Sequence, residues 1–381
     1  MKQILILGGG MGGLVVANEL RKKLGKEHRI TLIDKNNKHI FYPSLLWLLE
    51  GKKKVEKIQK PLNLLRKKGI NFINEEILEI EPEKKIVRTT KNKINYDYLI
   101  ISLGAEFAPE KVKGLSDGGY NLYQLSEVER LKEDLRKFSK GKIAIVISSL
   151  PFKCPAAPYE AALLLDYYFK KKGIRNDINL QIFTPETLPM PIAGQKIGNA
   201  IKQILEERGI IFNPEKKINS IDRKNKNIIF EDNQKVQYDM LIYVPPHKAQ
   251  KVVKDSRLTN ETGWIPVDPK TLKTNQKNIY AIGDITSIKL PDGKMLPKAG
   301  VFAHYQAEVV ANNIASEIMS RNAFKEFNGG GLCFLEIGFG KAGFAIGNFY
   351  AEKREIKMKK PSHVWHLGKI LFEKYWFWKF F

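Results

Sequence analysis

The chain has 381 residues, a formal net charge of +23 from 64 Lys and Arg against 41 Asp and Glu, and a hydrophobic fraction of 43%. That length accommodates two or three domains with cores of their own, and the hydrophobic content excludes disorder as the main state. No apolar run reaches the ~18 residues needed to span a bilayer, and the N-terminus enters a strand at once, without an h-region or cleavage site.

The first elements are strand, glycine turn and helix, in "ILILGGGMGGLVVANELRKKL" (4–24). Gly8, Gly10 and Gly13 fit G-x-G-x-x-G, and the next strand, "RITLID", closes on Asp34, followed by Lys35. A strand before, a helix after and an acid at the next strand's end describe a site for an ADP moiety. Pyrophosphate would sit on the helix N-terminus and Asp34 would accept from ribose hydroxyls. "NYDYLIISLGA" (95–105) and "VQYDMLIYVPP" (236–246) then look alike, each after a hairpin-like segment, an internal repeat of the end of a dinucleotide-binding domain.

Between them, "KIAIVISSLPFKCPAAPYEAALLLDYYFKKKG" (142–173) is again a strand running into a helix, but its turn has no glycine. Pro151, Pro155 and Pro158 surround Cys154 instead. Proline removes N–H donors and side chains block a pyrophosphate, so the pattern disfavours a second nucleotide. A thiol at the carboxyl end of a parallel strand stands where α/β folds place ligands. The helix start would favour its thiolate, as would Lys153 if it points inward. Cys333, in "GGGLC", is the only other cysteine. Two buried unpaired thiols are the bland reading; in a cytoplasmic protein a disulfide is more often catalytic or redox-sensing than structural. A late strand, "KNIYAIGDITSI" (277–288), ends at Gly283 and Asp284, and a helix opens near Gly300.

The glycine motif, the strand ending at Gly104 and the late "AIGD" resemble the two-dinucleotide-binding-domain flavoproteins of the disulfide-reductase superfamily. Over essentially the full length, "FYPSLLW", "FKCPAAPYEAALLL", "GWIPVDPKTL", "LPKAGVFA", "GGGLCFLEIGFG" and "PSHVWHLGKILFEKYW" resemble, in order, sulfide:quinone oxidoreductases and flavocytochrome c sulfide dehydrogenase flavoproteins. The resemblance implies an α/β fold of two tandem Rossmann-like domains plus a C-terminal membrane-associating amphipathic helical segment. Residues 1–112 and 262–328 would bind FAD, 113–261 would form a second domain with a degenerate NAD site, and 329–381 would carry a redox cysteine and the membrane and quinone segment.

It further implies that Cys154 and Cys333 form a redox disulfide over the flavin, with Cys333 beside its C4a atom. Sulfide would attack that disulfide, leaving a persulfide on one cysteine and a thiolate on the other. Glu160 is the candidate base, against a bland reading as a dipole-favourable carboxylate. Lys35, Pro43, Ser102, Gly104, Gly283, Asp284, Lys298 and Gly300 would hold FAD, with Lys298 facing the pyrimidine edge of the ring. Leu332, Phe334, Trp365 and Lys369 would line a quinone pocket. No metal site is expected. The stretch "YNLYQLSEVERL" lacks the third cysteine of many sulfide:quinone oxidoreductases, and "FYPS" offers no cysteine to tether FAD, which should bind non-covalently.

On a wheel of the last helix, Val364, Leu367, Leu371, Tyr375 and Trp378 share a face opposite His366, Lys369 and Glu373. Aromatics with flanking lysines suit a membrane interface; packing on the protein itself and a dimer contact are the other uses of such a helix. The basic surplus then has a partner in anionic headgroups, although a Lys-rich solvated surface accounts for part of it. The expectation is a peripheral, monotopic protein on the cytoplasmic side of the cell membrane, with sulfide and quinone as substrates and a homo-oligomer left open. Electron donation to a cytochrome, a type II NADH dehydrogenase and a basic nucleic-acid-binding flavoprotein are the alternatives. Lysines spread along the whole chain argue against nucleic acid.

Overall fold

The computed structural model describes residues 1–352 and 356–381. Its centre is a pair of five-stranded parallel sheets of the same layout. In the first, Gln3–Leu7 lies between Arg29–Asp34 and Tyr98–Ile101, with Asn71–Asn74 and Ile279–Ala281 at the edges. In the second, Gly141–Ile147 lies between Ile178–Phe183 and Met240–Val244, with Ile211–Asn213 and Tyr120–Asn121 outside them. Parallel strands covered by helices on both faces must be apolar throughout, and Tyr98–Ile101 and Met240–Val244 are buried at every position.

The repeat in the sequence has its basis here: Tyr98–Ile101 and Met240–Val244 each pair beside the central strand of their own sheet. Each follows a three-stranded antiparallel meander, at 77–95 and at 218–237. The strand Ile279–Ala281 returns the chain to the first sheet beside Tyr98–Ile101, and the helix Gly300–Ile318 follows it.

The helix Ala157–Lys171 opens with Pro158 near its first position, where a missing N–H costs nothing. It is buried along most of its length, including Asp166, whose carboxylate pairs with Arg175 at 2.7 Å, Lys170 at 3.0 Å and Arg208 at 3.6 Å. Arg208 also donates to Ile337 O, which fastens the second domain to the C-terminal unit.

That unit is an antiparallel sheet of Gly330–Glu336, Ala342–Asn348 and Lys357–Ser362, followed by the helix His363–Phe380. The helix is docked the opposite way to an ordinary amphipathic helix. Lys369, Glu373, Trp376 and Phe380 are buried, whereas Val364, Leu367, Leu371, Tyr375 and Trp378 are exposed, the last at 78%. Among the described residues, no helix is long and apolar enough to cross a membrane.

Candidate active site

A cavity of about 1430 Å³ runs from the glycine turn to the two cysteines, larger than the ~300–1,000 Å³ of a pocket for one drug-sized ligand. Gly8, Gly10, Asp34, Lys35, Pro43, Ser102, Gly104, Gly283, Asp284, Lys298 and Gly300 all line it. Gly13 does not; it is a packing residue. A Cβ there would stand 1.8 Å from Gly8 O and 2.7 Å from Ser102 Oγ. Ser102 Oγ in turn donates to Leu7 O at 2.8 Å and Gly8 O at 3.0 Å, which fixes the turn, while Gly8 itself has a left-handed φ of +99°.

At Gly10 a Cβ would meet nothing within 4 Å. The helix Met11–Lys23 therefore begins against open cavity, as a phosphate cradle requires. Asp34 accepts from Gly9 N at 2.6 Å and from Asn36 N at 2.7 Å, and a carboxylate with two such bonds retains acceptor capacity for a ribose. Burial raises its pKa against those hydrogen bonds. The cavity's length, the open face at Gly10 and the acid at the strand end fit an extended dinucleotide such as FAD.

Cys154 and Cys333 come from distant parts of the chain and line the same cavity, both as free thiols. Three segments hold the backbone of Cys154: its N–H donates to Lys298 O at 2.7 Å, and its carbonyl accepts from Ala157 N at 2.9 Å and from Tyr123 Oη at 3.3 Å. Its φ is +50°, a conformation that costs a non-glycine residue about 1–3 kcal/mol and that surrounding bonds must impose. Cys333 sits mid-strand, opposite Ala345.

The expectation of a favoured Cys154 thiolate is reversed. The accessible part of Cys154 faces the cavity and protein surrounds the rest, so burial pushes its thiol well up, with the Cys333 and Glu160 charges adding to it. Lys369 and the Ala157 N–H pull the other way and are outweighed. Burial likewise pushes Cys333 up to about 11.

Glu160 and Lys369 form a buried pair beside the thiols, Nζ to Oε1 at 2.6 Å, and the charge of each is felt at both cysteines. Burial pushes Glu160 up to about 7 despite Lys369. Burial works against the charge of Lys369, and the Glu160 and Glu336 carboxylates outweigh it.

Of the residues expected at a quinone pocket, Leu332, Phe334 and Lys369 line the cavity and Trp365 does not. Its ring is stacked on Phe344 at 4.5 Å. Lys298 lines the cavity with its ammonium donating to Asp284 O at 2.6 Å and lying 3.5 Å over the Trp264 ring. Lys153 does point inward, boxed by Tyr42, Phe107 and Tyr123 at 4.4, 4.5 and 5.5 Å.

Several residues of the site escaped the sequence reading. Trp376 Nε1 donates to His39 Nε2 at 3.1 Å, and His39 Nδ1 donates to Gly9 O at 2.9 Å, so the last helix is hydrogen-bonded to the glycine turn. Glu373 takes bonds from Ser44 and Lys53. Glu336 accepts from His366. The spacing of Lys369, Glu373, Trp376 and Phe380 along one face was the available signal.

Two parallel dinucleotide-type sheets bordering one cofactor-sized cavity define a dinucleotide-binding oxidoreductase. Residues 2–150 and 159–307 match the pyridine nucleotide-disulphide oxidoreductase family, and the chain belongs to it. It is 28% identical over 370 residues to the mitochondrial sulfide:quinone oxidoreductase of Mus musculus, covering 93% of this chain and 79% of that protein. The crystal structure of the sulfide:quinone oxidoreductase of Aquifex aeolicus superimposes with a TM-score of 0.91 at 25% identity, over 100% of this chain and 91% of that one. A type II NADH:quinone oxidoreductase of Staphylococcus haemolyticus is 25% identical over 390 residues, covering 97% of this chain and 96% of that protein.

Gly10 and Gly13 separate cofactor binding from folding. Gly10→Ala should leave the thermal unfolding of the apoprotein unchanged and weaken FAD binding by ~10-fold, or about 1.4 kcal/mol, measured by flavin fluorescence titration. Gly13→Ala, with backbone in the way of its methyl, should also destabilise the apoprotein by about 1–3 kcal/mol. Equal behaviour of the two variants would refute the assignment of Gly10 to the cofactor.

Proposed function

We propose that this protein is an FAD-dependent sulfide:quinone oxidoreductase that works at an anionic membrane surface through a Cys154–Cys333 redox disulfide. The observation that carries the reading is the convergence of the two cysteines and the Glu160–Lys369 pair on one cavity continuous with the glycine turn. FAD would be held non-covalently by the glycine turn, Asp34 and the Gly283–Asp284 turn, and when bound it supplies two-electron transfer from sulfur to quinone.

Hydrosulfide attacks one sulfur of the disulfide. A new S–S bond forms, the Cys154–Cys333 bond breaks, and the products are a persulfide on one cysteine and a thiolate on the other. Glu160 takes the proton the sulfide gives up, and Lys369 stabilises the negative charge that forms between them. The shell of Leu332, Phe334 and Phe372 gives the same cavity an apolar wall for a quinone. In the C-terminal helix, Leu367, Leu371, Tyr375 and Trp378 would enter the interface, with Lys374 and Lys379 toward headgroups.

The type II NADH dehydrogenase reading is the rival, and the glycine-free turn at 148–156 speaks against it. Anaerobic sulfide should bleach the flavin within seconds and micromolar NADH should not. Cys154→Ser and Cys333→Ser should each abolish the sulfide reaction while retaining FAD. Bleaching by NADH, or a Cys154→Ser protein with normal sulfide turnover, would sink the proposal.

The pH dependence has a definite sign. Glu160 has its folded-state pKa raised to about 7, so it holds its proton below that and becomes a base only above it. Sulfide-dependent flavin reduction should therefore rise with pH through about 7. Glu160→Gln should lower the rate by ~10²–10⁴-fold and remove that rise. A variant with an unchanged pH profile would show that another group takes the proton.

Membrane binding is tested on exposed positions, which leave the buried stripe intact. Leu371→Glu with Trp378→Glu should weaken sedimentation with anionic liposomes by ~100-fold, the loss of about 3 kcal/mol of apolar burial. Sedimentation equal to that of the unaltered chain would put the anchor elsewhere.

A further inference from the structure

We propose that Glu160, Glu336 and His366 form a proton path from the redox cavity to water at the C-terminal helix, with Lys369 as the residue that holds the two carboxylates in place. The proposal rests on the sulfide:quinone reading, and the stoichiometry of that reaction calls for such a path. Hydrosulfide yields two electrons and one proton as its sulfur is oxidised. A quinone takes up two electrons and two protons to become the quinol. One proton per turnover must therefore reach the quinone from water.

The route is laid out in buried side chains. Glu160 lines the cavity and is paired with Lys369 at 2.6 Å. The Glu336 backbone N–H faces the Glu160 carboxylate, and the Glu336 carboxylate is coupled to the same Lys369 charge. His366 Nδ1 lies 3.0 and 2.9 Å from the two Glu336 oxygens. The Glu336 side chain is 1% exposed and that of His366 is 19% exposed, so the imidazole is where the chain of groups meets solvent.

With Nδ1 committed to Glu336, Nε2 is the ring nitrogen left to exchange protons with water. The groups facing His366 are Glu336, Lys52, Glu50, Lys369 and His363, with the Trp47 ring set edge-on at 6.1 Å. Burial and the Lys52 charge lower its pKa, so it is neutral at pH 7 and free to accept. Burial pushes Glu336, like Glu160, up to about 7, which makes transfer between them nearly level in energy.

A purely structural role for these groups, docking the helix, predicts different behaviour, and the test separates the two. The full-length holoenzyme is reduced with sulfide and mixed with a short-chain water-soluble benzoquinone in a stopped-flow instrument. His366→Ala should slow flavin reoxidation by ~10²-fold, the lower end for a lost acid–base group. It should also raise the solvent deuterium isotope effect and regain rate on addition of imidazole. If that variant fails to retain flavin, His366→Asn, which keeps a donor for Glu336 but cannot shuttle a proton, takes its place, with slower reoxidation and a larger isotope effect expected. Reoxidation at the unaltered rate overturns the path. So does a slowed rate with an unchanged isotope effect and, for His366→Ala, no response to imidazole. An unaltered enzyme that sulfide does not reduce, or quinone does not reoxidise, refutes the functional reading itself.

Discussion

The buried ion pair of Lys369 and Glu160 is the interaction on which the arrangement of the cavity depends. Placing two charges out of water costs several kcal/mol per ion, so such a pair is not there for stability alone. It joins the end of the chain to the first turn of the helix Ala157–Lys171, next to Cys154. Glu373, one turn further, does the same toward Ser44 and Lys53 of the first domain. Because the helix docks through this polar stripe, its leucines and Trp378 have nowhere to go but outward. The apolar outer face is thus a consequence of how the cavity is closed.

The other attachment of the helix reaches the cofactor cradle. Trp376 donates to His39 Nε2, His39 donates from Nδ1 to Gly9 O, and Gly9 N–H is held by Asp34. The sequence of bonds requires a neutral imidazole of one tautomer, and burial supplies it by pushing His39 down to about 4. Phe41 packs on Phe372, Trp376 and Phe377 alongside. The helix is therefore part of the wall of the cavity. Removing it would disturb the glycine turn and the sulfur end together, and only the outward positions can be changed without touching the cavity.

The parallel sheets and the glycine turn were legible in the sequence because their constraints are local. Strands buried on both faces must be apolar, and Gly8 and Gly13 stand where backbone approaches backbone. Cys154 could be placed at a strand end on the same grounds, and the repeat at 95–105 and 236–246 gave the second sheet. For the ionisation of Cys154, a helix start and a nearby lysine are visible in the sequence, whereas the protein that surrounds the thiol is not. The resemblance places Trp365 at the pocket, yet the strand bearing Phe344 captures its ring. The buried stripe of the last helix could not be read from its own residues, since Lys369 and Glu373 find their partners hundreds of positions away.

The second sheet explains why a thiol can occupy the place of a phosphate cradle. In a nucleotide-binding sheet, an acid after the second strand meets a ribose hydroxyl. Here Glu186 follows Ile178–Phe183, but it is buried and turned inward, bonded to Tyr159 Oη and to Thr184 Oγ1. Tyr159 is itself fully buried on the helix that begins after Cys154. Burial pushes Glu186 up to about 7, and the Tyr159 and Thr184 hydroxyls pull the other way. The side chain that would have recognised a ribose instead braces the helix carrying Glu160. The loop between that helix and the strand Gly141–Ile147 carries no glycine. It can take the left-handed turn at Cys154 and be tied to Lys298 O, at the entrance to the helix Gly300–Ile318. One bond thus holds the thiol loop of the second domain against the cofactor wall of the first, and the sulfur chemistry proposed here needs that proximity.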